Sequence, residues 1–292
     1  MHKSGFVNII GNPNVGKSTL MNSLVGEKLS IITSKAQTTR HRILGIVNGE
    51  DFQIVYSDTP GILRPNYKLQ ESMMKFVNSA IKDADVLLYV TDVNETSDKY
   101  EDMLMKVHLS GIKTLLIINK IDLTTSEKLE ALVDKWKTLL PNAEIIPVSA
   151  LNNFNISGLF DRIISLLPEA EPYYPKDTLT DRSLRFFASE IVREKIFLNY
   201  DKEVPYCVEI SIDEYKEEPN IDRIRATIFV ARDSQKGIII GHKGASIKKV
   251  GMQAREDLEA FLGKKVFLEL FVKVGENWRD NDRQLQRFGY ND

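Results

Sequence analysis

The sequence predicts an α/β domain with a mostly parallel, doubly wound sheet, followed by a smaller α+β domain. In the first half, short apolar runs alternate with helical patterns, as is typical of strands that are buried on both faces and joined by helices. The stretch LPEAEPYYPKDTLTD contains three prolines and no periodicity, and it ends this alternation. We therefore assign residues 1–170 to the first domain, 171–180 to a linker and 181–292 to the second domain.

The elements of the first domain follow from its apolar pattern. Strands are predicted at FVNIIG, RILGIVNG, FQIVYSDT, DVLLYVTD, KTLLIINK and AEIIPVSA. The tight turn NGED joins the second and third of these, so one antiparallel edge is expected. Helices are predicted over Gly16–Val25, Tyr67–Asp83, Ser97–Ser110, Ser126–Leu139 and Ile156–Leu167.

The second domain has a different order of elements. A helix is predicted over Arg182–Phe197, followed by strands at YCVEISIDEY and DRIRATIFVA. A helix-turn-helix around Gly241–Gly244 and a strand at KKVFLELFVKV come next, and a short polar helix at DNDRQLQRF ends the chain. The order α-β-β-α-α-β predicts a mixed sheet covered by helices.

Composition limits the classes of protein that fit. The 292 residues are 42% hydrophobic and 27% charged, which is typical of a soluble globular protein. The net charge of −2 means that any nucleic-acid site must be a local basic patch. The one cysteine, Cys207, excludes a disulfide framework, and we expect it in a buried strand. No apolar run approaches the roughly 18 residues of a membrane span, and we expect a cytoplasmic protein.

The stretch GNPNVGKST has the spacing of a phosphate-binding loop, G-x-x-x-x-G-K-S, between a predicted strand and a predicted helix. Backbone N–H groups of such a loop bind phosphate oxygens, Lys17 would reach the β- and γ-phosphates, and the Ser18 hydroxyl would bind Mg²⁺. The expected nucleotide contacts in this stretch are Gly11, Asn12, Pro13, Asn14, Val15, Gly16, Lys17, Ser18 and Thr19.

Three further motifs, DTPG, NKID and Ser149-Ala150, end predicted strands and indicate a guanine nucleotide; the backbone N–H at the last of these could meet the guanine carbonyl. Asp58 begins DTPG, where a carboxylate can hold a metal-bound water and the Gly61 amide can meet the γ-phosphate. In NKID, the Asp122 carboxylate can accept from both N1–H and the exocyclic amine of guanine, which adenine cannot offer. Parallel sheets bind ligands at the carboxyl ends of their strands. The contacts expected here are Asp58, Thr59, Pro60, Gly61, Asn119, Lys120, Asp122, Ser149, Ala150 and Leu151.

The activation of the attacking water is unusual in this sequence. Ras-type enzymes place a glutamine directly after Asp-x-x-Gly, whereas this chain has Ile62, which can neither donate nor accept. Asn14 could ligate K⁺ beside the β- and γ-phosphates, or it could serve only the tight turn. In the loop SKAQTTRHR, Thr38 and Thr39 both qualify as the threonine that binds Mg²⁺, and Asn12 receives no role of its own.

The second domain contains a G-x-x-G turn at Gly241–Gly244 in a locally basic stretch, with five basic residues and one acidic residue between positions 232 and 249. Such a turn lets the backbone approach nucleic-acid phosphates. We expect an apolar floor for the bases at Ile238, Ile239, Ile240 and Ile247. The expected RNA contacts are Lys236, Gly237, Ile240, Gly241, His242, Lys243, Gly244 and Lys248.

Over essentially its whole length, the sequence resembles the Era family of bacterial ribosome-assembly GTPases. The resemblance rests on GNPNVGKSTL, KAQTTRHRI, DTPG, NKID, SAL, VARDSQKGIIIGHKG and GENWRDNDRQLQRFGY. It implies a P-loop GTPase domain followed by a type II KH domain, with Thr39 as the Mg²⁺ ligand. It also implies binding to the 3′ end of small-subunit ribosomal RNA during 30S maturation, potassium dependence and loose membrane association. The residues then expected to act in hydrolysis are Lys17, Thr39, Gly61 and Asn14.

Two other functions are compatible with parts of the sequence. A membrane-associated GTP switch could use the basic patch of its second domain to bind lipid or protein, although the patch lies on a compact turn. A nucleotide-gated RNA chaperone without turnover would explain the missing glutamine. We expect the protein to be a monomer.

Overall fold

The structure, a computed structural model, describes residues 1–95 and 101–290. The chain forms two compact units: one comprises Met1–Arg64 and Met73–Asp181, and the other comprises Pro65–Ser72 and the residues from Arg182 onward. Among the described residues, no helix combines the length and the apolar character needed to cross a bilayer.

The first unit is built on a six-stranded sheet in the order β2-β3-β1-β4-β5-β6. All neighbouring strands are parallel except β2 and β3, which form the expected antiparallel edge. Every residue of β4 is buried, because helices cover both faces of the sheet. The strands are β1 (Lys3–Gly11), β2 (Ile43–Asn48), β3 (Phe52–Asp58), β4 (Val86–Asp92), β5 (Lys113–Asn119) and β6 (Glu144–Pro147).

The helices of this unit agree with the apolar pattern to within a few residues. The helix expected over Ser97–Ser110 is observed from Glu101, and residues 97–100 lie outside the described part of the chain. The helices are α1 (Lys17–Val25), α2 (Lys68–Lys82), α3 (Glu101–Ser110), α4 (Ser126–Leu139) and α5 (Ile156–Leu166), and α2 begins within the segment that belongs to the second unit.

The second unit has a three-stranded sheet in the order β7-β8-β9, with β7 antiparallel and β9 parallel to β8. Side chains from the helices and from alternate strand positions form one buried apolar cluster. Its elements are α6 (Leu184–Asn199), β7 (Glu209–Glu217), β8 (Ile221–Val230), α7 (Asp233–Ile240), α8 (Ala245–Leu262), β9 (Lys265–Val274) and α9 (Asp282–Arg287).

The first strand of the second unit begins later than the sequence pattern indicates. Cys207 is buried as expected, but it lies in a short 3₁₀ turn before β7 and not in a strand. Its carbonyl accepts a hydrogen bond of 3.0 Å from the indole of Trp278, which is itself fully buried. The tertiary contact with Trp278 thus satisfies a carbonyl that a longer strand would have used in the sheet.

Candidate functional site

The phosphate-binding loop connects β1 to α1 with the geometry that anion binding requires. Gly16 has φ +93°, and a Cβ atom on it would lie 2.3 Å from the side-chain nitrogen of Asn119, so the position excludes a larger residue. Lys17 is buried, and its ammonium donates to the carbonyl of Asn12 at 2.8 Å. Burial lowers the pKa of Lys17 to about 8, although the charges of Asp58 and Glu95 oppose this shift. An ammonium that is desolvated in this way gains most from a phosphate partner.

Three oxygen-bearing side chains meet next to this loop. The Ser18 hydroxyl donates to Asp58 Oδ2 at 2.7 Å and lies 2.9 Å from Thr39 Oγ1, which is itself 3.4 Å from Asp58 Oδ2. The other carboxylate oxygen, Asp58 Oδ1, is buried and makes no hydrogen bond within residues 1–95 and 101–290. Burial raises the pKa of Asp58, while Lys17 and the hydroxyl donors lower it. This set of hard oxygen atoms, with one buried oxygen left over, fits Mg²⁺ held partly through water.

The structure separates the two threonines that the residue pattern alone left open, and it agrees with Thr39, which the resemblance implied. Thr39 points to Ser18 and Asp58, as described above. Thr38 instead donates to the carbonyl of Lys35 at 2.7 Å. Both threonines line the nucleotide cavity, but of the two it is Thr39 whose hydroxyl meets the oxygen atoms of Ser18 and Asp58.

The base end of the site is fixed by residues that follow β5 and β6. The Asn119 amide donates to the carbonyl of Val15 at 2.9 Å, and its oxygen accepts from the Ala150 backbone at 3.0 Å. The Ser149 hydroxyl donates to Asp122 Oδ1 at 2.5 Å, which orients the carboxylate at the rim of the cavity. The NKID and SAL motifs are therefore joined to each other and to the phosphate loop.

These residues surround a cavity of about 430 Å³, within the range of nucleotide and cofactor sites. The expected residues Gly11, Asn12, Val15, Asp58, Thr59, Pro60 and Ala150 do not line it but lie behind its wall. The segment Ile31–Lys35, Gln37 and Leu123 also line the cavity, although no nucleotide contact was expected from them. The expected residues in the lining are Pro13, Asn14, Gly16, Lys17, Ser18, Thr19, Thr39, Gly61, Asn119, Lys120, Asp122, Ser149 and Leu151.

The two asparagines of the phosphate loop face different surroundings. Asn12 is buried and its side-chain amide donates to the carboxylate of Glu95, which also accepts from the Thr91 hydroxyl at 2.7 Å. Asn14 is exposed and has φ +65°, and among the described residues its side chain makes no hydrogen bond. Asn12 thus anchors the loop to the residues that follow β4, whereas the amide of Asn14 remains available to a ligand.

Ile62 cannot replace the missing glutamine. Its side chain is 2% exposed and belongs to the apolar core, and its backbone N–H donates to the carbonyl of Gly11 at 3.1 Å. The cavity therefore receives no polar side chain from this position.

The second unit carries the G-x-x-G turn between α7 and α8. Gly241 and Gly244 have φ +71° and +79°, so the turn requires residues that tolerate positive φ. The turn exposes His242 and Lys243, and Lys248 is exposed one turn into α8. Exposed basic groups at a helix start are a suitable arrangement for phosphate.

A groove of about 300 Å³ runs along α8 and β9 of the same unit. Most of its lining residues were not expected, although the sequence pattern held a signal: residues four apart lie on one face of α8, and alternate residues lie on one face of β9. The prediction that Ile239 belongs to the apolar floor for the bases is wrong, because its side chain is completely buried in the core. The groove is lined by Ile247, Lys248, Gly251, Met252, Arg255, Leu268 and Leu270.

Comparison with known proteins assigns both units. A family model described as "50S ribosome-binding GTPase" matches residues 6–120, and one described as "KH domain" matches residues 203–279. The fold and the site therefore define a GTPase that carries a KH domain. GTPase Era of Syntrophus aciditrophicus is 46% identical over 100% of this chain and 96% of its own length. GTPase Era of Clostridium kluyveri is 44% identical over 99% of this chain and 100% of its own length. The chain belongs to the Era family of GTPases.

Solved structures agree over the same length. Era in complex with MgGDPNP and nucleotides 1506–1542 of 16S ribosomal RNA has a TM-score of 0.95 and 40% identity, with 99% of each chain covered. A variant of Aquifex aeolicus Era bound to GDP and AlF4⁻ gives the same values. The predicted fold class, a P-loop GTPase domain followed by a KH domain, is confirmed.

Proposed function

We propose that this GTPase binds the 3′ end of small-subunit ribosomal RNA through its KH domain and acts in assembly of the 30S subunit. The observation that carries the proposal is the full-length similarity to an Era bound to MgGDPNP and to 16S ribosomal RNA nucleotides. The G-x-x-G turn and the apolar groove beside it support the same conclusion, since single-stranded RNA needs both phosphate contacts and a surface for its bases.

The ribosomal subunit named by the first family model differs from the one proposed. The description of that family model mentions the 50S ribosomal subunit, but the model matches only residues 6–120. The RNA in the full-length relative belongs to the small subunit, and the relative includes the domain that would bind RNA. The full-length relative therefore supports the small subunit as the partner. We also propose that the protein acts in the cytoplasm. Peripheral membrane association stays a prediction, which sedimentation with anionic vesicles would test.

In the GTPase site, Ser18 and Thr39 would hold Mg²⁺ directly and Asp58 would hold it through water. The ion, when bound, neutralises negative charge on the β- and γ-phosphates. Lys17 would hold the same phosphates, and the backbone of Gly61 would meet the γ-phosphate. Ser149 and Asp122 would orient the guanine base. With Ile62 buried, hydrolysis without a further group should be slow, well below about one turnover per second.

We expect the missing charge to come from K⁺ at Asn14. The side chain of Asn14 is exposed at the rim of the cavity, where its amide oxygen could ligate a cation next to the phosphates. GTP turnover should then be about tenfold faster in KCl than in NaCl at equal ionic strength, measured as phosphate release.

The matched control is Asn14→Gly, because glycine keeps the positive φ of this position and removes only the amide. The variant should still bind nucleotide, and its turnover should no longer distinguish the two salts. Equal rates of the natural protein in KCl and NaCl would rule out the potassium role.

RNA binding should depend on the nucleotide. GTP with Mg²⁺ would order the segment around Thr39 and the segment after Gly61, and hydrolysis would release both. The affinity for a short RNA with the 3′-end sequence should therefore differ between the forms loaded with GDP and with a non-hydrolysable GTP analogue. Fluorescence anisotropy of labelled RNA measures it, and identical affinities would remove the switch from the proposal.

A further inference from the structure

Asp92 is the last residue of β4 and lies behind the nucleotide cavity. It is 6% exposed and pairs in register with Asn119 of the neighbouring strand β5. Its two carboxylate oxygens have different partners. Oδ1 accepts from the backbone N–H of Asn94 at 2.9 Å, and Oδ2 accepts from the ammonium of Lys120 at 2.6 Å. One oxygen therefore closes a local turn, while the other reaches a residue that lines the cavity.

Lys120 connects this carboxylate to the phosphate loop. Its ammonium also donates to the carbonyl of Asn14 at 2.5 Å. Lys120 and Asn14 both have positive φ, +61° and +65°, a conformation that a non-glycine residue adopts at a cost unless its surroundings hold it. A chain of contacts thus runs from Asp92 through Lys120 to the backbone of the phosphate loop.

We propose that Asp92 is a positioning residue for the guanine nucleotide, acting through Lys120. The Asp92 carboxylate holds the Lys120 ammonium against the Asn14 carbonyl. This contact fixes the stem of Lys120 across the base end of the cavity, and it fixes the phosphate loop at the other end. The inference rests on the assignment of this cavity to a guanine nucleotide. Asp92 lies outside the four nucleotide-binding motifs GNPNVGKST, DTPG, NKID and SAL, and it does not line the cavity.

Loss of the Asp92 charge should affect all guanine nucleotides alike. The contacts that it supports involve the base and the loop, which GDP and GTP share, and do not involve the γ-phosphate. Selection of guanine over other bases should not change, because that belongs to Asp122 and Ser149. A half-buried ammonium that loses its carboxylate keeps only the carbonyl partner and holds its position less firmly.

The test is Asp92→Asn, which keeps an oxygen for the Asn94 N–H and removes the charge toward Lys120. Dissociation of fluorescently labelled GDP and of a labelled GTP analogue, followed by stopped flow with Mg²⁺ present, should become about tenfold faster for both. The ratio of affinities for GDP and inosine diphosphate should stay as in the natural protein. The matched control is Asp134→Asn, whose carboxylate pairs with Lys137 on the exposed face of α4 and should have no effect.

A double-variant cycle separates positioning from support of the fold. Lys120→Met keeps the apolar stem and removes the ammonium, so Asp92→Asn should add nothing further in that background. An effect of Asp92→Asn that is equally large with and without the ammonium would show that Asp92 supports only its local turn, and would overturn the proposal. A loss of protein stability caused by Asp92→Asn would appear both with Lys120 and with Met at position 120, and it would therefore cancel in the cycle. Failure of the natural protein to bind guanine nucleotides would instead refute the assignment of the cavity.

Discussion

Replacing Asp122 by asparagine should lower the affinity for GDP by about a thousandfold and create affinity for xanthosine diphosphate. The carboxylate lines the cavity and is oriented by the Ser149 hydroxyl at 2.5 Å. It would accept two hydrogen bonds from guanine, whereas an asparagine amide would present a donor to the exocyclic amine. Xanthine carries a carbonyl at that place, so the same donor becomes favourable. Isothermal titration with both nucleotides measures the exchange of preference.

The control for this substitution is Asp134→Asn, the same chemical change at an exposed position of α4. It should leave both affinities unchanged. If the Asp122→Asn variant bound GDP as tightly as the natural protein, the carboxylate would not contact the base. Another residue would then have to account for the selection of guanine.

The second large effect is expected in the KH domain. The double variant His242→Asp, Lys243→Asp places two negative charges on the exposed G-x-x-G turn. RNA phosphates should then be repelled from this helix start, so the affinity for the 3′-end RNA should fall by about fiftyfold. Fluorescence anisotropy of the labelled RNA at fixed salt measures the change.

A matched variant distinguishes the turn from the overall charge. His108→Asp, Lys137→Asp makes the same two substitutions at exposed positions of the first unit, in α3 and α4. Its RNA affinity should stay close to that of the natural protein. Equal losses in both double variants would mean that RNA responds only to net charge.

Sequence patterns predicted well those features that depend on local chemistry. The phosphate loop, the strands that end at Asp58 and Asn119, and the antiparallel edge follow from spacing and apolar periodicity alone. Turn residues with positive φ, Gly241 among them, were also where the motifs placed them.

Features that depend on tertiary packing were beyond the sequence. Nothing local distinguishes Thr38 from Thr39, since the choice depends on which hydroxyl the fold brings to Ser18. The side chain of Asn12 had no assignable role because Glu95, its partner, lies on a different loop. Ile239 is buried because α7 turns that face toward the core, which an uninterrupted run of three isoleucines could not indicate.

Recognition of the 3′ end of small-subunit ribosomal RNA by this GTPase can be tested by one comparison of affinities. The chain loaded with a GTP analogue is titrated onto the 3′-end RNA and onto an RNA of the same composition in permuted order. We expect at least about tenfold tighter binding of the 3′-end sequence, since bases bound in the groove would contribute beyond phosphate attraction. Equal and salt-sensitive binding of both RNAs would contradict it, because only non-specific attraction to phosphates would remain.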